Sequence, residues 1–585
     1  MSNMLPRLLL AMLCCLAFAP SAFAQASPAL EYRVRIEGPK ELVGMLQDGL
    51  NIIRWQHDPD MSTELLERLV DEAVREARQA VATEGYFSAQ VVASIDRGRQ
   101  PWTVVLKIEP GPRTRVSQLD LRFTGPAADD ESARDLLQRI RRGWSLRRGE
   151  LFRQASWDEA KEQAVRELAS WRYAAARVAA SEALIDPGAA SAALSVEIQS
   201  GPAFHFGAVE VIGAQRYPEQ LVRNLSPVNR GDVYEREKLL VYQRRLQETG
   251  YFASARVDVE PDPVQAESAP VRVAVIEGNS QNVEAGIGYS TDTGARLELR
   301  YADVDLLDSA WRLRTVLRLD QKFQNLQLDF DSPPRSDGSW NNLFARARQS
   351  DIQNESTSEL AFGVAHNWGL ERTPSALTLS AHIEEQRVAG DLADHRNALY
   401  VGYRHTFRRT DDPVSPRSGY LGTVEVGGAP GAVATRSFSR AVGSLSMFVP
   451  LGRRDDLALR SQLGTVFADT RQGIPSSFLF RTGGDQTVRG YAFESIGVRQ
   501  GDAVVGGRYL AFGSVEYIRW IGDAWGLAAF VDAGDAWDES KAFKAAWGYG
   551  MGARFRTPIG PIRADLAFGE RTGTVRLHLS IGFSF

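Results

Sequence analysis

Cysteine is almost missing from this 585-residue chain: Cys14 and Cys15 are the only two, side by side near the start. They fall inside residues 1–24, which read as a secretory signal. Arg7 supplies the positive end, Leu8 to Ala19 the apolar core, and Ala22-Phe23-Ala24 an A-x-A cleavage site before Gln25. Its apolar run, about a dozen residues ending at Pro20, is too short for a transmembrane anchor, which needs about 20. The processed chain is therefore expected to hold no disulfide and to do no thiol chemistry.

Long apolar runs are also lacking, and the mean hydropathy is −0.26, which excludes a bundle of membrane helices. It does not exclude a membrane barrel, whose strands show lipid only every second side chain. Charge of one sign is not in excess, with 68 basic against 73 acidic residues, so no basic field favours nucleic acid. The seven histidines (His57, His205, His366, His382, His395, His405, His578) form no H-x-x-x-H or H-E-x-x-H pair. No G-x-x-x-x-G-K-[ST] loop is present, and Gly286-Ile287-Gly288 lies within a strand pattern and opens no helix. No spacing singles out an acid pair, and no nucleophile–base pair is evident. No metal, no cofactor and no enzymatic activity are expected. An exported chain meets no ATP, so work on another polypeptide would draw on that client's folding or on a partner.

What the chain does have is 51 glycines, 12 Trp, 16 Tyr and 26 Phe, and two halves with different periods. Up to about residue 280 strands alternate with helices in a domain-sized repeat. One unit runs from the strand Tyr32 to Ile36, through a helix with Leu65, Leu66, Leu69, Val70, Ala73, Val74 and Ala77 on one face, to Gly85-Tyr86-Phe87 and a strand Trp102 to Ile108. A second runs from Val116 through helices near 130–142 and 156–170 to Trp171-Arg172-Tyr173 and a strand Ala193 to Ile198. A third runs from Gly207 through a helix over 235–248 to Gly250-Tyr251-Phe252 and a strand Val271 to Ile276. From the aromatic corner to the closing glycine is 26 residues (85 to 111), 29 (172 to 201) and 28 (250 to 278). The second corner departs from the G-Y-F form of the other two.

From about 281 onward the period is two. Val283, Ala285, Ile287 and Tyr289 oppose Glu284, Gly286, Gly288 and Ser290; Leu360, Phe362 and Val364 repeat the rule, as do Leu399, Val401 and Tyr403. About sixteen such segments of roughly 9–14 residues suit tilted membrane strands better than a soluble sandwich, whose strands average about five or six. Phe585 ends the last segment on its apolar face, like an aromatic insertion signal.

Residues 468–504 interrupt the strands and contain Gly483-Gly484-Asp485-Gln486-Thr487-Val488-Arg489-Gly490-Tyr491. A lone V-R-G-Y is weak; its place in the longest loop of the barrel half gives it weight. Leu527, Ala529, Val531 and Ala533 make one face of a later strand, so Asp532 points inward; Ala511, Val515 and Tyr517 likewise leave Glu516 inward. Arg489 folded into the lumen would meet both acids, and Gly490 would let the backbone approach the wall.

These features together resemble the POTRA-plus-barrel superfamily of outer-membrane assembly and translocation proteins, over essentially the whole mature chain. V-R-G-Y, Ser514-Val515-Glu516-Tyr517, Phe530-Val531-Asp532-Ala533-Gly534 and the Asp411-to-Tyr420 turn carry the resemblance. It implies three α+β POTRA domains followed by a 16-stranded antiparallel transmembrane β-barrel. The divisions are 1–24 signal peptide, 25–113, 114–203 and 204–279 POTRA domains, and 280–585 barrel. It implies that Arg489 packs on Glu516 and Asp532. Three POTRA domains and the G-G-D-Q-T-V-R-G-Y loop are most similar to the TamA family. That family implies an outer-membrane protein with periplasmic POTRA domains, a TamB-like inner-membrane-anchored partner, and unfolded outer-membrane or autotransporter clients within outer-membrane lipid. Clients would join by strand addition, and the barrel would open between its first strand (Gln281 to Ser290) and last (Thr574 to Phe585), thinned by Gly286, Gly288 and Gly582, with Leu579 also at the seam. Another POTRA translocator, of the two-partner or BamA-like kind, and a passive porin remain as alternatives.

Overall fold

A computed structural model describes residues 30–369, 373–412, 415–522, 524–539, 541–557 and 562–581. The expected signal at 1–24, Gly582 and Phe585 lie outside the described residues. The chain divides into two compact units. One runs to His205 and takes in Val233–Glu235 and Pro261–Glu267; the other holds the rest of the third module and the barrel.

Three modules share one plan: a strand, helices, then two strands, with the last strand in the middle of a three-stranded sheet. In the first, Tyr32–Glu37 runs parallel to Trp102–Glu109 (Val34 opposite Val104), and Gln90–Asp96 runs antiparallel on its other side. The second repeats this with Arg115–Thr124, Arg177–Asp186 and Ser191–Gln199, the third with Phe206–Ile212, Phe252–Val259 and Ala269–Glu277. The apolar stripe covers one sheet face in each. On the helix Thr63–Thr83, whose first turn is capped by the Ser62 hydroxyl, Leu66, Leu69, Val70, Ala73, Ala77 and Val81 are buried at helical spacing. The third module also has a short helix, Glu219–Asn224, with no counterpart in the sequence reading.

The odd corner of the second module has a backbone explanation. Arg172 stands at φ 67°, in the left-handed region that Gly85 (φ 93°) and Gly250 (φ 80°) occupy in the other modules. Its carbonyl accepts from Phe204 N–H at 2.7 Å, as that of Gly85 accepts from Thr114 N–H at 2.8 Å. The corner is kept with a residue that costs about 1–2 kcal/mol there. Contacts of Arg172 to Ser132 Oγ at 2.9 Å and Asp130 at 3.4 Å accompany it. Tyr173, the counterpart of Tyr86 and Tyr251, is buried and donates to Asp130 at 2.6 Å. Hydrogen bonds from Ser132 and Tyr173 hold that carboxyl below its ordinary range.

Sixteen antiparallel strands form a closed barrel, each paired with its sequence neighbour and the first with the last. Val283, Ile287, Leu360, Phe362, Val364 and Val401 are exposed on its outer face, while Glu359, Glu384, Glu516, Asp532 and Arg554 are buried toward the lumen. That is the arrangement a wet interior and an apolar exterior require. The third module is fixed to the barrel end by its corner: Tyr251 donates to the Ala310 carbonyl at 2.6 Å, in the turn between the second strand (Gly294–Leu306) and the third (Trp311–Asp320). Asn224 donates to Pro334 O at 3.0 Å.

The left-handed corner yields a test. Arg172→Val, β-branched and unsuited to that conformation, should destabilise the second module by about 2 kcal/mol or more. Arg172→Gly should stay within about 1 kcal/mol of wild type, because relief of strain offsets a partly exposed ion pair. Limited proteolysis of the full chain, scored for cleavage within 115–199, reads the difference.

Candidate functional site: the lumen loop and the seam

Residues 468–508 join the eleventh strand (Asp455–Phe467) to the twelfth (Tyr509–Ile521) and fold inward. At their heart Arg489 is 1% exposed. Its Nε and Nη2 grip Asp532 Oδ2 and Oδ1 at 2.7 and 2.8 Å, and its backbone N–H donates to Oδ2 at 3.1 Å. Nη1 donates to Glu516 Oε2 at 2.6 Å and Asp565 Oδ2 at 3.2 Å, and the guanidinium lies 3.4 Å from the Phe530 ring centre. The fork is thus bidentate on Asp532 alone. Glu516 is shared with Arg554, whose Nε is 3.0 Å from Oε1 and whose Nη1 is 2.6 Å from Asp565 Oδ1. Two guanidiniums bridge three carboxylates out of bulk water, and Arg460, which donates to Ser514 Oγ at 3.3 Å, brings a third positive charge to the same wall. Burial alone would lower the Arg489 pKa; the three carboxylates outweigh it and hold the guanidinium above its usual value.

Asp565 and Arg554 were not singled out from the sequence, and Phe530 was named there only as part of its strand motif. Alternation with Ala564 and Leu566, and with Ala553 and Phe555, puts Asp565 and Arg554 on the inward face, yet parity does not say which level of the barrel the loop reaches. The loop also rests on a glycine floor. A methyl on Gly548 would overlap the Arg489 carbonyl, and one on its register partner Gly569 would meet the Gly490 carbonyl. Gly490, at φ +90°, has no room either, its added carbon falling 2.6 Å from Gly569 N. Val488 and Tyr491 pack with Ile496, Phe512 and Ala546, and Tyr491 donates to Trp547 O at 3.0 Å.

The same loop is anchored a second time, across the lumen, on the sixth strand (Glu355–Trp368) and seventh (Ser375–Val388). Ser476 N–H donates to Glu384 at 2.9 Å, Ser477 Oγ to Glu359 at 2.7 Å and Arg481 to Glu355 at 2.5 Å. Phe478 packs edge-on against His382 at 4.7 Å between ring centres and lies at the same distance from Tyr400. Within this anchor Ser380 Oγ lies 2.9 Å from His382 Nε2, and His382 Nδ1 lies 2.9 Å from Glu359. That order of hydroxyl, imidazole and carboxylate matches a hydrolase triad. Ser380 is 3% exposed, however, and the strand pairs on both sides through its register with Gly363 and Tyr400. An oxyanion needs converging N–H donors, which a fully paired wall does not present. The trio holds the loop to the wall.

At the seam, the first strand (Gln281–Ser290) meets the last (Thr574–Ile581) at Tyr289 opposite Ile581 and Ser290 opposite Ser580, among the described residues. Thr291 N–H extends this to Leu579 O at 3.3 Å, and Leu579 N–H returns to Thr291 Oγ1 at 3.2 Å. Gly286 and Gly288 pair with Glu298 and Arg296 of the second strand. In the turn after the eighth strand (Asp394–Thr410), Asp411 accepts from the N–H groups of Arg417 and Ser418, each at 3.0 Å. Those backbone donors, Ser418 foremost, hold its carboxyl below the ordinary range.

A sixteen-stranded barrel with periplasmic α/β modules and a lumen loop clamped by arginine defines an outer-membrane protein of the POTRA–barrel class. Comparison with known families gives the same answer. The Omp85 superfamily domain matches residues 276–585, a POTRA repeat described as a surface antigen variable number repeat matches 204–278, and the first POTRA domain of TamA matches 33–110. The chain belongs to the Omp85 superfamily. It is 26% identical over 385 residues to the outer membrane protein assembly factor BamA of Nitratidesulfovibrio vulgaris, covering 62% of this chain and 48% of that protein. It thus spans about half the length of that curated relative. The solved BamA of Haemophilus ducreyi lacking POTRA domains 1–3 superposes with a TM-score of 0.62 at 15% identity, over 80% of this chain and 100% of that one. CdiB from Acinetobacter baumannii gives a TM-score of 0.46 at 11% identity, over 80% of this chain and 89% of that one.

Removing the arginine leaves Asp532 without its bidentate partner and three buried carboxylates with Arg554 as the one cation bonded to them among the described residues. Arg489→Ala should therefore cost about 3–5 kcal/mol of loop anchoring. Its barrel should lose heat-resistant gel mobility at a lower temperature than wild type. Gly548→Ala removes no charge and should produce the same shift by lifting the Arg489 carbonyl off the wall; an unshifted Gly548→Ala would refute the glycine floor.

Proposed function

We propose that this chain is the outer-membrane component of a translocation and assembly module of the TamA kind, promoting insertion or secretion of outer-membrane proteins such as autotransporters. The observation that carries the proposal is the long loop. It crosses the lumen, bonds to opposite walls, and leaves the seam between the first and last strands as the place where a client strand could pair. A passive porin has no use for such an obstruction, or for three periplasmic modules. Three modules and the TamA-type match over residues 33–110 favour this branch over a two-partner exporter or a BamA-like factor.

In this reading the modules receive unfolded clients, or a TamB-like inner-membrane-anchored partner, by strand addition to the sheet edges Gln90–Asp96, Arg177–Asp186 and Phe252–Val259. The barrel then opens at its seam and offers a strand edge to the client within outer-membrane lipid. No bond of the client is made or broken and no cofactor takes part. The free energy comes from the client's own pairing and burial.

The only natural cysteines, Cys14 and Cys15, fall within the expected signal at 1–24, so an engineered pair in the barrel reports cleanly. Tyr289→Cys with Ile581→Cys, opposite each other in register, should lock the seam and abolish client assembly until a reductant is added. Assembly at the wild-type level by the oxidised, cross-linked protein would contradict the gate.

A further inference from the structure

The lumen loop does more than sit on the far wall. His578 of the last strand is 2% exposed and on the lumen face. Its Nε2 accepts from the Gly490 N–H at 3.0 Å. A nitrogen that accepts carries no hydrogen, so in the neutral ring the proton is on Nδ1. Nδ1 has no hydrogen-bond partner among the described residues, and the acceptor it faces is Asp292 Oδ1 at 3.5 Å. Asp292 lies in the hairpin between the first and second strands, on the other side of the seam, and is buried. Its Oδ2 accepts from the Asp485 N–H of the same loop at 2.7 Å. Gly484, at φ +108°, lets the loop come this close: an added methyl would sit 2.5 Å from Asp292 Oδ2.

Three elements therefore hold one another: the hairpin after the first strand, the last strand, and the loop. Gly490 follows Arg489, and His578 stands opposite Asp565 in register, so this contact adjoins the arginine clamp. Loop residues 485–490 thus bond to the twelfth, thirteenth, fifteenth and sixteenth strands and, past the seam, to the first hairpin. It lies where the backbone ladder between first and last strands gives way to side chains.

The geometry points to Asp292 and His578 as positioning residues of a clasp through which the seated loop holds the first and last strands together, so that loop withdrawal and seam opening are one event. This rests on the reading of the seam as the client's entry point.

The test uses the full chain carrying Tyr289→Cys and Ile581→Cys, in detergent micelles without client, with disulfide yield read after a fixed exposure to oxidant. His578→Phe keeps the ring and removes both nitrogens; Asp292→Ala removes the acceptor. Each should lower the yield several-fold and expose the loop to trypsin at Arg481 and Arg499. The double variant should fall no further than the larger single effect, because the groups act as a unit. His578→Gln, which offers one acceptor and one donor, should recover part of the yield. Wild-type yield and wild-type loop protection in barrels of wild-type heat resistance would overturn the clasp. Should the strand variants fail to fold, Gly484→Ala carries the test from the loop side, and an unchanged yield there also overturns it. The readout contains no client, so the clasp can fail while the locked seam still blocks assembly, and the gate can fail while the clasp stands.

Discussion

Inside a bilayer no water is available to a backbone N–H or C=O, so a sheet crossing it must pair every strand and close on itself. Consecutive strands are tied by their connections, most of them short turns, with the loop 468–508 between the eleventh and twelfth. The junction of the first and last strands has no turn to set its register, and closure there rests on the ladder and on what supports it. The inward loop reaches that junction through Gly490 on His578 and Asp485 on Asp292. The third module holds one end of the barrel by Tyr251 on Ala310, and the loop reaches the other end of the seam.

Most of the clamp belongs to the barrel wall. Five buried charged groups, Arg489, Arg554, Glu516, Asp532 and Asp565, satisfy one another, and loss of one member leaves charge unpaired. The loop contributes one residue of the five. A wall with Arg554 already between Glu516 and Asp565 is partly neutralised before the loop arrives. The loop's own share of the clamp is the few charge-assisted bonds of Arg489. The glycines at 548 and 569 set how close the loop backbone comes, and so set the length of those bonds.

Much of this was legible in the sequence because β-structure writes its faces in alternation. Asp532 and Glu516 could be put inward from their neighbours alone, and the three modules showed through their corners. The sequence did not show which inward residues share a level of the barrel. Level depends on strand stagger, which parity does not encode. Asp565, Arg554, the Glu355–Glu359–Glu384 anchor and the Asp292–His578 contact were hidden for that reason. The second module's corner looked irregular because Arg172 adopts a conformation usually left to glycine, a backbone fact with no compositional signature. Ser380 and His382 share a face of one strand by alternation, but Glu359 comes from the neighbouring strand, so the trio appears only in the fold.

In the proposed reading a client strand pairs at the seam and does not pass through the lumen. Photo-cross-linking from the full chain during client assembly tests it most directly, with a photoreactive residue at Leu579 in one variant and at Gln462, inside the lumen, in another. Client adducts are expected from position 579 and none from 462. Adducts from 462 with none from 579 would mean that the polypeptide passes through the pore, and would contradict that reading.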